Sequence, residues 1–423
     1  MDLIELSNTV SKSARVMSGI LEENKLKLSL DPQCPDPSHF ALPNAEAFHA
    51  ARTQLRDAAL HLVDLLSGTQ ETLQGIQYNL VISSALQISW RFKLPQAVPL
   101  NDCISYENLA AKVGLDQGVI ERVMRTLMTR GMFHQPDPDH VSHSRLSATL
   151  ATEQWPDALF SMVFGWATPA IMHVADALTK WGSSQKPNET GFNVAKNTDK
   201  TMWELLEQDL EAQKMFGKFM NFTSDVFGVI DGLISGYDWA GLGDAVVVDV
   251  AGSIGHISRK LAGHFPQLEF IVQDYEAVCR QGEAILPAEL RGRIRFQPHN
   301  MFDAQQGIPD KKIVYFLRMI LHDWSDQECC RILRAVLPGL KRGDRIIVQE
   351  HIVPDPGTGS LFVEQVLRGL DMNMLSATNG QERSAAQFQH LVRMADPRLK
   401  VVNITTPTGL DMGVVEIALE DGL

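Results

Sequence analysis

The sequence predicts an α/β chain, with an open, mainly parallel sheet in its C-terminal half and an almost wholly helical region ahead of it. Three observations predict this. After Tyr237, short apolar runs of strand length alternate with helical stretches. The first run opens into a glycine-containing turn and then a helix, the usual start of a doubly wound, Rossmann-like sheet. In the first hundred residues, by contrast, apolar residues recur at three- and four-residue steps.

Taken in order, Leu6, Val10, Ala14, Met17 and Leu21 mark a first helix, and Leu55, Ala59, Leu62 and Leu66 a second. Between them Asp31–Pro43, rich in proline and aspartate, reads as an extended linker. Such stripes need cover, from a partner subunit or from the chain's own core. Residues 105–150 read as a winged helix: one helix over Tyr106–Val113, a turn at Gly114–Asp116, a second helix over Val119–Met132, and a wing at Gln135–Asp139. DNA readout is one meaning of that pattern. Yet Glu121 stands beside Arg122, Arg125 and Arg130, and the wing is acidic, whereas a reader of phosphates needs a basic face. A structural or dimerisation module is the preferred reading.

Residues 151–235 read as helical and rich in methionine and aromatics, among them Phe164, Trp166, Phe216, Met220 and Phe227. Such side chains suit an apolar pocket wall; ordinary core is the alternative. Strands are then expected at Ala245–Val250, Leu268–Gln273, Ile294–Gln297, Ile313–Leu317, Arg345–Val348, Lys400–Ile404 and Val414–Leu419. The expected division is a helical and winged-helix region over 1–150, a helical segment over 151–235 and the α/β domain over 236–423.

Composition narrows the function. The chain has 423 residues and a formal charge of −13, which disfavours nucleic acid and anionic membranes as partners. The five cysteines are odd in number and contain no CxxC pair, which predicts a reduced, cytoplasmic protein with no metal site. No secretory signal is expected at the N-terminus, and the sequon at Asn221 carries little weight without one. The apolar stretch Ala158–Val174 is interrupted by Thr168, Pro169 and His173, so no membrane span is predicted there.

The turn Ala251-Gly-Ser-Ile-Gly255 is not GxGxxG. Gly252 and Ser253 let a ligand approach the backbone, and Gly255 starts the helix tightly. Asp249 precedes the turn, where it suits a cationic amino-acid portion. Asp274, ending the second strand, suits a ribose. A glycine turn plus an acid fits several nucleotide cofactors. The block Phe316–Asp326, FLRMILHDWSD, shifts the balance. With VVVDVAGSIGH, FPQLEFIVQD, IIVQEHIVP and NGQERS, residues 245–390 resemble the plant caffeic-acid type of O-methyltransferase, and more closely its fungal natural-product relatives. WGSSQKPNETGFN and GYDW extend the resemblance into the helical half, so it covers nearly the whole chain.

The resemblance implies a class I S-adenosylmethionine (SAM)-binding domain behind a dimerisation domain, hence a homodimer. It places Asp249, Gly252 and Gly255 at the methionine portion, Asp274 at the ribose, Asn300 and Met301 at the adenine, and Arg318 and Trp324 around the pocket. Two departures stand out: Ala251 where the family usually has glycine, and Asn300 where it often has aspartate. His322 matches the family's base, with Glu350 and Glu382 as the carboxylates orienting it. Such a base removes the acceptor hydroxyl's proton; the alternative is a polar residue at a sheet edge. The implied reaction is O-methylation of an aromatic, polyketide-like or pyridone-like metabolite. Some proteins resembling the fungal branch bind SAM and act instead as pericyclases. On that reading Arg318 polarises a carbonyl and His143 reaches the substrate. Asp371, Met374 and Met394 are further candidates for the pocket wall, with core packing the bland alternative for Met394.

Overall fold

The computed structural model describes residues 2–34, 42–43, 45–226, 233–234, 236–406 and 412–420. Most of the expected linker, residues 35–41, lies outside the described residues, as do Phe227 and the Asn221 side chain. The chain divides into two compact units, residues 1–164 with 360–362, and residues 165–359 with 363–423.

The first unit opens with the helix Leu3–Glu23, started by a capping box in which Asp2 accepts from the Ile4 and Glu5 amides and Glu5 accepts from the Asp2 amide. Leu6, Met17 and Leu21 are buried, but Ala14 is exposed. In the next helix, Ala45–Leu66, the buried positions are Phe48, Ala51 and Ala58, and Leu66 is exposed. The helix Thr69–Arg91 leaves Leu73, Ile76, Tyr78, Leu80 and Val81 exposed.

The helices Tyr106–Val113 and Gln117–Met128 start at the side-chain caps Ser105 and Asp116, with Gly114 left-handed between them. The second helix stops four residues short of the expected Met132, because Gly131 at φ 71° turns the chain and the Met132 amide returns to the Leu127 carbonyl. Strands β1 (Ile104–Ser105), β2 (His134–Asp137) and β3 (His140–Ser142) form a small antiparallel sheet in the order β1-β3-β2. The β2–β3 hairpin covers the segment Gln135–Asp139 expected as the wing. Arg125 is spent on it, pairing with Glu121 and Gln135 and lying over the Tyr106 ring.

The second unit is built on seven strands: β4 (Val246–Val250), β5 (Glu269–Asp274), β6 (Ile294–Pro298), β7 (Ile313–Arg318), β8 (Arg345–Glu350), β9 (Leu399–Thr405) and β10 (Gly413–Leu419). Their order is β6-β5-β4-β7-β8-β10-β9, parallel except for β10, which runs antiparallel to both neighbours. Both faces are buried. Val246, Val248, Tyr315, Leu317 and Val348 pack on one side, and Val247, Phe270, Val314, Phe316 and Ile347 on the other. That is why these strands read as continuous apolar runs rather than alternating ones. The chain builds outward from β4 through β5 to β6, then returns to the other side with β7 and β8. The carboxyl ends of β4 and β7 therefore flank the switch point where open α/β sheets bind ligands. Among the described residues, no single helix is long and apolar enough to cross a membrane, although the bent pair Trp155–Met172 and Val174–Trp181 passes by length and composition together.

Candidate active site

At the switch point β4 ends in a buried aspartate within an otherwise apolar run. Asp249 accepts from the Ser258 hydroxyl at 2.5 Å, and Ser258 lies in the helix His256–His264 that follows the turn. Burial pushes the Asp249 carboxyl up to about 6, against the pull of Ser258 and of the Arg318 charge. Gly252 is required here by space: a Cβ would run into the Asp249 carboxylate. Ala251 and Ser253 both sit at φ 54° and Gly255 at φ 72°, so the turn holds two non-glycine residues in left-handed backbone. The Ser253 amide and the Tyr275 amide each donate to the Asp274 carboxylate, at 2.9 and 2.8 Å, which ties the turn to the end of β5.

At the end of β7, burial lowers the Arg318 pKa to about 10 while Asp249 holds it up, and its Nε is buried with no acceptor among the described residues. Next comes Met319 at φ 53°, then a short turn, Leu321–Asp323, that carries His322. His322 is buried, and its Nδ1 lies 2.8 Å from Glu382 Oε1. A carboxylate at Nδ1 fixes the tautomer and leaves Nε2 as the acceptor of the neutral ring. The nearest carboxylate to Nε2 is Asp323, at 3.6 Å, beyond hydrogen-bond reach. Glu350, expected to orient the ring too, does something different. Its Oε1 accepts the backbone amides of Ile320 and His322, at 3.2 and 3.1 Å. The ring is thus held by one glutamate and the backbone beneath it by the other.

The remaining expected residues fall in several places. Asn300 is exposed and accepts from the Phe302 amide, while Met301 and Trp324 pack against the core with Phe302 edge-on to Trp324 at 5.1 Å. Asp371 accepts from the Glu382 amide at 3.0 Å, so it supports the His322 partner. Met374 gives its carbonyl to Gly380 in the same region. Trp166 stacks on Phe192 and Phe216 meets Trp203 edge-on; Met220, half-buried, shares their unit. Phe164 belongs to the first unit, packed with Phe160 and Trp90. Two expectations find no such support. His143, expected to reach a substrate, is buried in the first unit with Nδ1 against Ser147 and Nε2 against the Val98 carbonyl, so both ring nitrogens are occupied. Met394 is exposed on the helix Ala385–Ala395, and the hydrogen bond at its carbonyl comes from Arg334.

Comparison with known proteins decides the family. The O-methyltransferase domain profile matches residues 173–396, and the O-methyltransferase dimerisation domain profile matches residues 75–153. This chain belongs to the O-methyltransferase family. The enzyme is 32% identical to O-methyltransferase bik3 of Gibberella fujikuroi, over 98% of this chain and 92% of that protein. It is 31% identical to O-methyltransferase aurJ of Gibberella zeae, over 99% of this chain and 98% of that one. In fold it is similar to OxaC in complex with SAH and oxaline, with a TM-score of 0.73 and 23% identity over 98% of this chain and all of that one. It is also similar to LepI in complex with SAM, with a TM-score of 0.70 and 21% identity over the same shares. As a member of this family the O-methyltransferase uses SAM as its cofactor. Among its described residues no group of three or more His, Cys, Asp or Glu is placed to hold a metal ion.

Sequence reasoning missed two residues of this O-methyltransferase. Arg383, next to Glu382, is buried and donates to both sides of the His322 turn. Ser258 supports Asp249. Arg383 stood in a block already singled out, NGQERS, but one sequence does not say which of two adjacent charged residues points inward; Ser258 lies two residues beyond the VVVDVAGSIGH block and carried no signal of its own.

Proposed function

We propose that this O-methyltransferase methylates a phenolic or enolic hydroxyl on an aromatic, polyketide-like or pyridone-like secondary metabolite, with His322 as the base. One observation carries the reading: Glu382 holds Nδ1 at 2.8 Å while no hydrogen bond among the described residues engages Nε2. A neutral imidazole so held accepts the hydroxyl proton, a contribution of roughly 10²–10⁴-fold. SAM, when bound, supplies an electrophilic methyl group. The buried Asp249 carboxylate, the space kept by Gly252, and the unmatched Arg318 Nε fit the charged amino-acid portion of that cofactor. Ser253 and Gly255 belong to the same cradle. Asp274 is assigned to the ribose, Asn300 and Met301 to the adenine, and Trp324 to the surrounding wall. The half-buried Trp166, Phe216, Met220 and Met374 are assigned to the acceptor pocket.

The test is mass spectrometry of purified protein with SAM and candidate aromatic hydroxy acceptors. Expected is a product heavier by one methylene, with S-adenosylhomocysteine released. One observation favours a second reading. The buried Arg318 Nε without an acceptor suits a group that polarises a carbonyl, as a pericyclase requires. Product of unchanged mass, or lighter by water, with SAM bound and intact, would replace methyl transfer with that reading.

The enzyme is further proposed to be a homodimer. The dimerisation profile over 75–153 and the exposed apolar residues of the helices Ala45–Leu66 and Thr69–Arg91 support it. A cytoplasmic location is also proposed, on the odd number of cysteines and the lack of a CxxC pair in the sequence.

A further inference from the structure

The turn that carries His322 is gripped by a strip of four consecutive residues, Gly380 to Arg383. Glu382 holds the ring. The Gln381 amide donates to the His322 carbonyl at 2.9 Å. Gly380 passes so close that a Cβ would strike that same carbonyl oxygen. Arg383 completes the grip. Its guanidinium donates to the Leu321 carbonyl at 2.8 Å and to the Trp324 carbonyl at 2.9 Å, the residues on either side of His322 and Asp323. It also donates to Gln381 at 3.2 Å, and twice to Asp326 Oδ1, at 3.0 and 2.8 Å. Asp326 is the first residue of the helix Asp326–Val336. One planar cation therefore fixes the turn, the strip and the helix start to one another.

Stability alone is a poor reason for this arrangement, because taking the buried guanidinium out of water offsets most of the energy of pairing it with the partly exposed Asp326. A fixed geometry is what a rigid fork supplies and a flexible ammonium does not. We propose that Arg383 is a positioning residue for the His322 base, holding the turn so that the imidazole stays against Glu382 and presents Nε2 to the acceptor hydroxyl. This rests on the reading of His322 as the base.

Arg383→Lys keeps the charge and removes the fork. Melting temperature and calorimetric titration with SAM establish that the variant is folded and still loads cofactor. Its kcat falls by about a hundredfold, the scale of a small misplacement of a reacting group. A loosened Glu382 contact gives up part of the carboxylate pull on the imidazole, so the acidic limb of kcat moves to lower pH. In histidine-labelled protein, the downfield proton on Nδ1 is identified by its absence from His322→Asn, and Arg383→Lys shifts or broadens it without any turnover. Gly380→Ala, whose Cβ would push on the His322 carbonyl of the same turn, lowers kcat in the same way. If Arg383→Lys is folded and retains the parent kcat, or loses it only as folded protein is lost with the limb and the resonance unmoved, Arg383 is scaffold and the proposal falls. If His322→Asn itself turns over like the parent, the base assignment fails first, and the two failures are told apart.

Discussion

His322 lies among three carboxylates, and its proton is the quantity to follow. Burial pulls its pKa down, but Asp323, Glu382 and Glu350 outweigh burial and push it up to about 10. Burial raises Glu382, and the opposing pull of the His322 charge carries it below the usual carboxylate value. Without cofactor, the ring holds its proton at neutral pH. A sulfonium held near it would compete with that proton, so SAM binding is expected to release one and its affinity to rise with pH up to about pH 10. S-adenosylhomocysteine, with a neutral sulfur, lacks that dependence. Both ligands share the titration of Asp249, raised by burial to about 6, so the difference between their calorimetric pH profiles isolates His322. Equal profiles would separate the imidazole from the sulfonium. Mutation tells the two glutamates apart: Glu382→Gln lowers kcat more than Glu350→Gln, while Glu350→Gln lowers the melting temperature more. The reverse order would mean that Glu350 serves the ring after all. The family resemblance named these residues, and the structure brings His322, Glu350 and Glu382 together. The division of labour was not legible, because which oxygen reaches a ring and which a backbone amide depends on sub-ångström placement that spacing does not carry.

At the scale of elements, the turn after β4 makes two predictions. Ala251 at φ 54° stores strain of about 1 kcal/mol that glycine relieves, so Ala251→Gly raises the urea midpoint by a corresponding amount; an unchanged or lower midpoint would place the strain elsewhere. Ser258→Ala removes the hydroxyl that stabilises the Asp249 carboxylate. The carboxyl then titrates higher, SAM binds more weakly at pH 7, and the deficit closes as pH rises. A deficit independent of pH would mean that Ser258 acts through packing. The strands of the sheet were legible to within a residue or two; the central ones, β4, β7 and β8, declare themselves as runs buried on both faces. The N-terminal helices were legible as helices but not by their covered sides. Ala14 and Leu66 are exposed where an apolar stripe predicted burial, whereas Ala51 and Ala58 are buried. Periodicity reports that a side is apolar, not what lies against it.

At the scale of the molecule, light scattering at micromolar concentration gives the mass of two chains, and a monomer would count against the proposed dimer. The order of the sheet has a consequence in time as well as in space. β8 carries Glu350 at its end, and its neighbour on one side is β10, with Gly413 opposite Glu350. Synthesis delivers β8 more than sixty residues before that partner. Until residues 413–419 leave the ribosome, the strand that supports the His322 turn is a bare sheet edge, able to pair with any other nascent strand. The enzyme's vulnerable interval therefore lies between the synthesis of β8 and that of β10, and a chain halted after β9 is expected to aggregate rather than to work slowly.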